Sequence, residues 1–153
     1  MGPSFVSIIN ESNEPVLIYI PNQGSVEVNE VLKYNTFSNI SLDYFESPLF
    51  EASANDKNKM IKLLFKLEHV AVYGMLIKAT GLKIIIGFND KEGGDSNDDE
   101  IDDIFQKVKK IYLRVKSSPF VDINNDNKQL ANLLEKKFDD EFIKSVISHV
   151  DRL

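Results

Sequence analysis

Two histidines, several runs of acids and no cysteine bound the chemistry this chain could attempt. His69 and His149 lie far apart, and neither has a ligand-spaced partner, so the sequence does not encode a zinc site. The missing thiols remove disulfides, thiolate ligands and a cysteine nucleophile together. The acidic stretch after Asn89 invites a calcium reading. Asp95, Asn97 and Asp99 fit the first three oxygen-donor positions of a calcium loop, but Glu100 stands where the sharp turn needs Gly and Gln106 where a Glu must close it. A second start at Asp122, with Asn124 and Asp126, fails at Asn127 and Leu133 for the same two reasons. Both stretches read as solvated charge.

Nucleophilic and phosphate chemistry fare no better. No Gly-x-Ser-x-Gly elbow occurs, no Ser has a nearby His with an acid to orient it, and Gly93-Gly94 is followed by acids that would repel a phosphate. The acids at 98–103 and 139–141 fall on helix starts expected to face solvent. A carboxyl acting as a general acid needs an apolar pocket to raise its pKa. Asp43 and Glu46 are the best remaining pair, and nothing around them supplies that pocket. The chain therefore reads as a binding protein, not an enzyme, with no cofactor and no metal.

The whole composition agrees. The 153 residues suit one domain, and 42% hydrophobic with 27% charged residues can build a core. Eighteen basic against twenty-four acidic residues leave a net charge of -6, which argues against nucleic acid or anionic lipid as the main partner. The first ten residues lack a secretory signal, and the near-apolar stretch from Val70 to Phe88 is interrupted by Lys78, Lys83 and Gly81. A cytosolic protein without a transmembrane segment is expected.

The elements that would carry a binding surface follow from periodicity. Ser4–Asn10 and Val16–Ile20 are β-branched and aromatic runs joined by a polar turn ending in Pro15, which reads as a hairpin. Asn29–Glu46 has helical spacing, with Tyr34, Phe37, Ile40, Ser41 and Tyr44 as its inner stripe. Leu42, Asp43 and Phe45 fall wholly or partly outside that stripe, leaving two apolar side chains near the outer face. Packing of Leu42, Phe45, Leu49 and Phe50 under the following loop is the alternative.

Met60–Leu67, Val70–Lys78 and Leu82–Phe88 read as three strands turning at Glu68-His69 and at Ala79-Thr80-Gly81. In the first, Ile61, Leu63, Phe65 and Leu67 alternate with Lys62 and Lys66; the last, apolar on nearly both faces, belongs in the middle of a sheet. The next helix carries Ile101, Ile104, Phe105, Val108, Ile111, Tyr112 and Val115 on one stripe, with acids at its start and bases at its end as the helix dipole favours. A last helical segment, Asn127–Val150, drifts in spacing at Asp139-Asp140 and should bend or break there.

The expected order is β-β-α-β-β-β-α-α. That is an α+β domain over residues 1–153, one five-stranded antiparallel sheet with one helix on one face and two on the other.

That order is similar to the longin, or profilin-like, fold, and several stretches resemble sedlin and its relatives, the small subunits of TRAPP vesicle-tethering complexes. They are Ser4-Phe5-Val6-Ser7-Ile8-Ile9 with Asn13-Glu14-Pro15-Val16, then Ser41-Leu42-Asp43, Val72-Tyr73-Gly74 with Leu82-Lys83-Ile84-Ile85, Ser118-Pro119-Phe120 and Phe138-Asp139. The third of these resembles the TRAPP-complex-associated branch. Ser118 stands where the family has Asn, Val121 replaces a frequent aromatic, and 122–137 is longer than in sedlin.

The resemblance implies a non-enzymatic adaptor with no cofactor. Its partners would be other TRAPP subunits, the large ones of the TRAPP II type foremost, and indirectly a Rab GTPase whose nucleotide exchange the assembly drives. It would be cytoplasmic and peripheral at Golgi membranes, in ER–Golgi and intra-Golgi traffic. Asp43 matches an acidic partner-contact position, with Leu42 and Phe45 flanking it. Apolar area would drive association and the single charge would fix its register.

Two other readings compete. A SNARE-regulatory or coat-adaptor longin domain is one; a SNARE would add a heptad helix and membrane anchor that this sequence lacks. A lipid or small-molecule pocket between sheet and helices is the other, and it would need polar groups converging on a cavity.

Overall fold

The computed structural model describes residues 3–21, 28–46, 61–77, 80–89, 98–117 and 127–144. Along them run β1 (Pro3–Ile9), β2 (Pro15–Tyr19), α1 (Val28–Glu46), β3 (Ile61–Leu67), β4 (Val70–Ile77), β5 (Leu82–Asn89), α2 (Asp98–Lys116) and α3 (Asn127–Phe138). A π-helical turn, Asp139–Lys144, continues α3. The strands form one antiparallel sheet in the order β2-β1-β5-β4-β3. α1 covers one face and α2 with α3 the other, which is the α+β longin-like layering expected.

β5 is central, and its consecutive Ile84, Ile85 and Ile86 are all fully buried because helices cover both faces. The connections obey backbone sterics. Glu68 and His69 both take positive φ, 50° and 64°, which the two-residue turn between β3 and β4 demands. His69 is thus an exposed turn residue. Between β4 and β5, Gly81 at φ 73° donates its N–H to the Ile77 carbonyl at 2.8 Å. In the first hairpin the Asn10 side-chain oxygen accepts from the N–H groups of Ser12 and Glu14, closing the turn before Pro15.

On the α2/α3 side the core is large and aliphatic. Val6, Ile8, Met75, Ile84, Ile86 and Phe88 meet Ile101, Phe105, Val108 and Leu134, and burying each side chain contributes roughly 1.5–3 kcal/mol. The α2 stripe is as expected, with Ile111 alone half-buried. The drift at Asp139 is the π turn itself. Its wider winding brings Phe138 and Phe142 both within ring contact of Tyr19, at 5.4 and 6.4 Å between centroids. The Tyr19 hydroxyl donates to Asp139 at 2.6 Å. The expected continuation beyond 144, with Val146, Ile147, His149 and Val150, lies outside the described residues.

On the α1 side the contact is close and uses small residues. Ser7 of β1 and Ser38 of α1 share a buried hydrogen bond of 2.7 Å, and the Ser41 hydroxyl returns to the Phe37 carbonyl. A Cβ on Gly74 of β4 would stand 2.6 Å from the Phe45 ring and 2.8 Å from Leu64, so that glycine makes the space Phe45 fills. The inner face of α1 is therefore Tyr34, Phe37, Ser38, Ser41 and Phe45. This corrects the expected stripe: Phe45 lies inside it, 6% exposed, and Tyr44, 41% exposed, lies on its flank.

β3 departs from simple alternation. Leu63 pairs with Tyr73 and Phe65 with Val72, so Leu64 is an unpaired bulge residue. Leu64 and Phe65 both join the α1-side core, and Leu63 and Leu67 are left about half exposed at the sheet edge.

Candidate functional site

α1 presents the candidate surface because both of its sides carry apolar residues. With 100° per residue, an inner face of Tyr34, Phe37, Ser38, Ser41 and Phe45 puts Val28, Leu32, Asn39 and Asp43 on the opposite, outward line. Val28 and Leu32 are 74% and 60% exposed, and Asp43 is exposed three turns further along. Two polar neighbours spend their side chains on the helix itself: Asn35 donates to the Val31 carbonyl and Thr36 to the Leu32 carbonyl. What remains facing solvent is apolar at one end and acidic at the other.

Both ends of the helix are fixed to the sheet. At its start the Lys33 ammonium lies 3.6 Å from the Glu68 carboxylate in the β3–β4 turn and near the rings of Tyr34 and Phe37. The Tyr34 ring stacks on Phe5 at 4.8 Å, and burial pushes its phenol pKa up, the Glu30 charge adding to the rise and a Ser4 hydrogen bond opposing it. At its end the Asn13 amide donates to Glu46, and the Lys83 ammonium donates to the same Asn13 side chain at 2.7 Å. Asn13, at φ 60°, thus links the first hairpin turn, β5 and the last turn of α1 beside Asp43. Along the flank nearer β3, Tyr44 stacks on Phe65, which also meets Phe37 edge-on.

The three residues singled out by sequence divide accordingly. Asp43 is exposed on the outward line, and Leu42 is half-buried against the α1-side core. Phe45 does not flank Asp43 at the surface, because its ring is buried against Gly74 and Leu64. Val28, Leu32, Leu63 and Leu67 were not anticipated as exposed. The first two were legible as apolar residues lying off the stripe through Tyr34, Phe37 and Ser41, but the bulge that turns out Leu63 has no sequence signal.

Leu49, Phe50, Asp95, Asn97, Asp122 and Ser118-Pro119-Phe120 lie outside the described residues. Among the described residues no three His, Asp or Glu side chains gather as a metal site, and no helix is long and apolar enough to cross a membrane.

A five-stranded antiparallel sheet with one helix over one face and two over the other is the layering of a longin-like fold. The sedlin family model matches residues 8–145, nearly the whole of that architecture, and the chain belongs to the sedlin family. Within it, the chain is 50% identical over 149 residues to the TRAPP-associated protein TCA17 of Saccharomyces cerevisiae, covering 96% of this chain and 97% of that protein.

Proposed function

We infer that this chain is a non-enzymatic adaptor subunit of a TRAPP vesicle-tethering complex. It acts in the TRAPP II type of assembly, beside the large subunits, and supports Rab nucleotide exchange indirectly from the cytoplasmic surface of Golgi membranes. The observation that carries this reading is the 50% identity, along nearly the full length of both chains, to a protein named for its TRAPP association.

The surface favoured for the partner is the outward line of α1. Asp43 supplies a charge that fixes register, Val28 and Leu32 supply apolar area, Leu42 borders the contact, and Phe45 holds the helix from beneath. A contact of this kind sets apolar area at one end of the helix and a directional charge at the other, which suits the docking of a protein.

The test is capture from cytosolic extract with the purified chain as bait, read by mass spectrometry, for wild type and Asp43→Tyr. Recovery of TRAPP subunits that falls with the variant, at unchanged thermal midpoint, is the expected result. Recovery of coat or SNARE proteins instead would keep the fold and overturn the function. Undiminished TRAPP recovery by a folded variant would remove Asp43 from the interface.

A further inference from the structure

α2 and α3 lie side by side across the sheet from α1, and near the C-terminal end of α2 they leave an open groove of about 310 Å³ between them. Ile111, Val115 and Leu133 make its apolar part, and Arg114 and Lys137 stand at its rim. The seam is not charged in the same way throughout. Nearer the π turn, Lys107 is answered by Asp103 at 3.4 Å and Glu141 at 3.6 Å. At the groove, Arg114 and Lys137 are exposed, and neither forms an ion pair among the described residues. Lys110, one turn before Arg114 on α2, and Lys136, next to Lys137 on α3, are also exposed. An apolar trough edged by cations that no described residue answers is a specific feature in a chain of net charge -6.

We propose that this groove docks an acidic segment of a partner protein. One aliphatic or aromatic side chain seats among Ile111, Val115 and Leu133, and carboxylates on either side are held by Arg114 and Lys137. The guanidinium offers a planar fork that a carboxylate matches with two hydrogen bonds, and the ammonium offers a movable point charge. The groove's size, at the small end of ligand sites of ~300–1,000 Å³, suits a side chain or two and no larger body.

A flat anionic membrane is the poorer occupant. The same two helices and the π turn expose Asp103, Glu135 and Asp140, which a broad negative surface would also meet, whereas a narrow segment meets only the rim. The site lies on the opposite face of the sheet from α1 and does not depend on the adaptor reading. Together, the two surfaces would let one small domain hold two partners at once.

The experiment is selection of a random peptide library displayed on phage against the immobilised full chain. The strongest binder, labelled, is then titrated by fluorescence anisotropy against wild type, Arg114→Glu/Lys137→Glu and Asp43→Tyr. Selected peptides should carry Asp or Glu beside a single Leu, Ile or Phe. Affinity should fall about tenfold or more for the double variant, weaken with added salt, and be unchanged by Asp43→Tyr.

Selection of peptides without acids, or equal affinity for a double variant that melts like wild type, overturns the proposal. So does phosphatidylserine-vesicle binding that the double variant abolishes while no acidic peptide is selected; that result assigns the rim to a membrane. If the double charge reversal lowers the thermal midpoint, Arg114→Gln/Lys137→Gln takes its place. Because the peptide titration uses no TRAPP subunit, failure of the capture experiment and failure here are separate results.

Discussion

Neighbouring residues of β1 meet their two helix layers in different ways. Val6 and Ile8 face large aliphatic side chains of α2, while Ser7 between them faces Ser38 of α1 across a hydrogen bond. The α2/α3 face is held by buried volume. The α1 face combines a close approach at Ser7, Ser38 and Ser41 with buried rings of Phe5, Tyr34, Phe37 and Phe45, the last filling the space above Gly74. Val28 and Leu32 stay outside because they lie on the line of the helix opposite that buried face. The difference teaches that the two helix layers of one sheet can be seated by different means, one by aliphatic volume and the other by small-residue approach beside aromatic rings.

Phe105→Ala should test the first half most severely. Its ring is fully buried, and its loss should cost about 3–5 kcal/mol in denaturant unfolding. A negligible change would mean that volume is not what holds that face.

Tyr19→Phe comes next, at about 1.5–3 kcal/mol for a hydrogen bond to a charged acceptor. Burial, then the hydrogen bond to Asp139 and the charges of Asp139 and Glu135, push the Tyr19 phenol well above its usual value near 10. A group raised on folding contributes its stability in full below the unfolded value and loses it as pH climbs beyond. Wild type should therefore lose thermal stability above about pH 10 more steeply than Tyr19→Phe, with Tyr34, also raised, leaving a residual slope in both.

The α1 side is sharpened by a double-mutant cycle. Ser38→Ala should cost about 1–3 kcal/mol by leaving the Ser7 hydroxyl buried and unpaired, and adding Ser7→Ala should recover part of that loss. Strict additivity of the two would show that the pair does not couple. The smallest effect belongs to the outward line. Asp43→Tyr and Leu32→Asn should each change stability by no more than about 0.5 kcal/mol, and a larger loss would make that line structural.

The same contrast explains what could be read from sequence. α2 was legible residue by residue, because Ile101, Ile104, Phe105, Val108, Tyr112 and Val115 are apolar and the opposite face is charged. Central β5 was legible from three consecutive isoleucines, and the slipping period at Asp139 marked the place where α3 passes into the π turn, though as a bend or break and not as a change of winding. α1 was legible as a helix but not in its rotation. Its apolar residues lie on several sides, and Phe45 is drawn inward by a glycine on a strand that sequence alone does not place beneath it. The bulge at Leu64 and the groove beside Arg114 depend on pairing between segments distant in the chain, so no local pattern announces them. Asp43 was named through resemblance, and its exposure follows from the rotation of α1.

β5 joins β1 to β4, yet it is the last of the described strands to leave the ribosome. Until it does, the β1–β2 and β3–β4 hairpins are separate ribbons with unfilled edges, and α1 emerges with no finished surface to lie on. Completion of the sheet is therefore a late, long-range event of the kind that slows folding and exposes apolar strands while synthesis continues. A nascent chain halted before Leu82 should need a holding chaperone, and one carried past Asn89 should begin to release it.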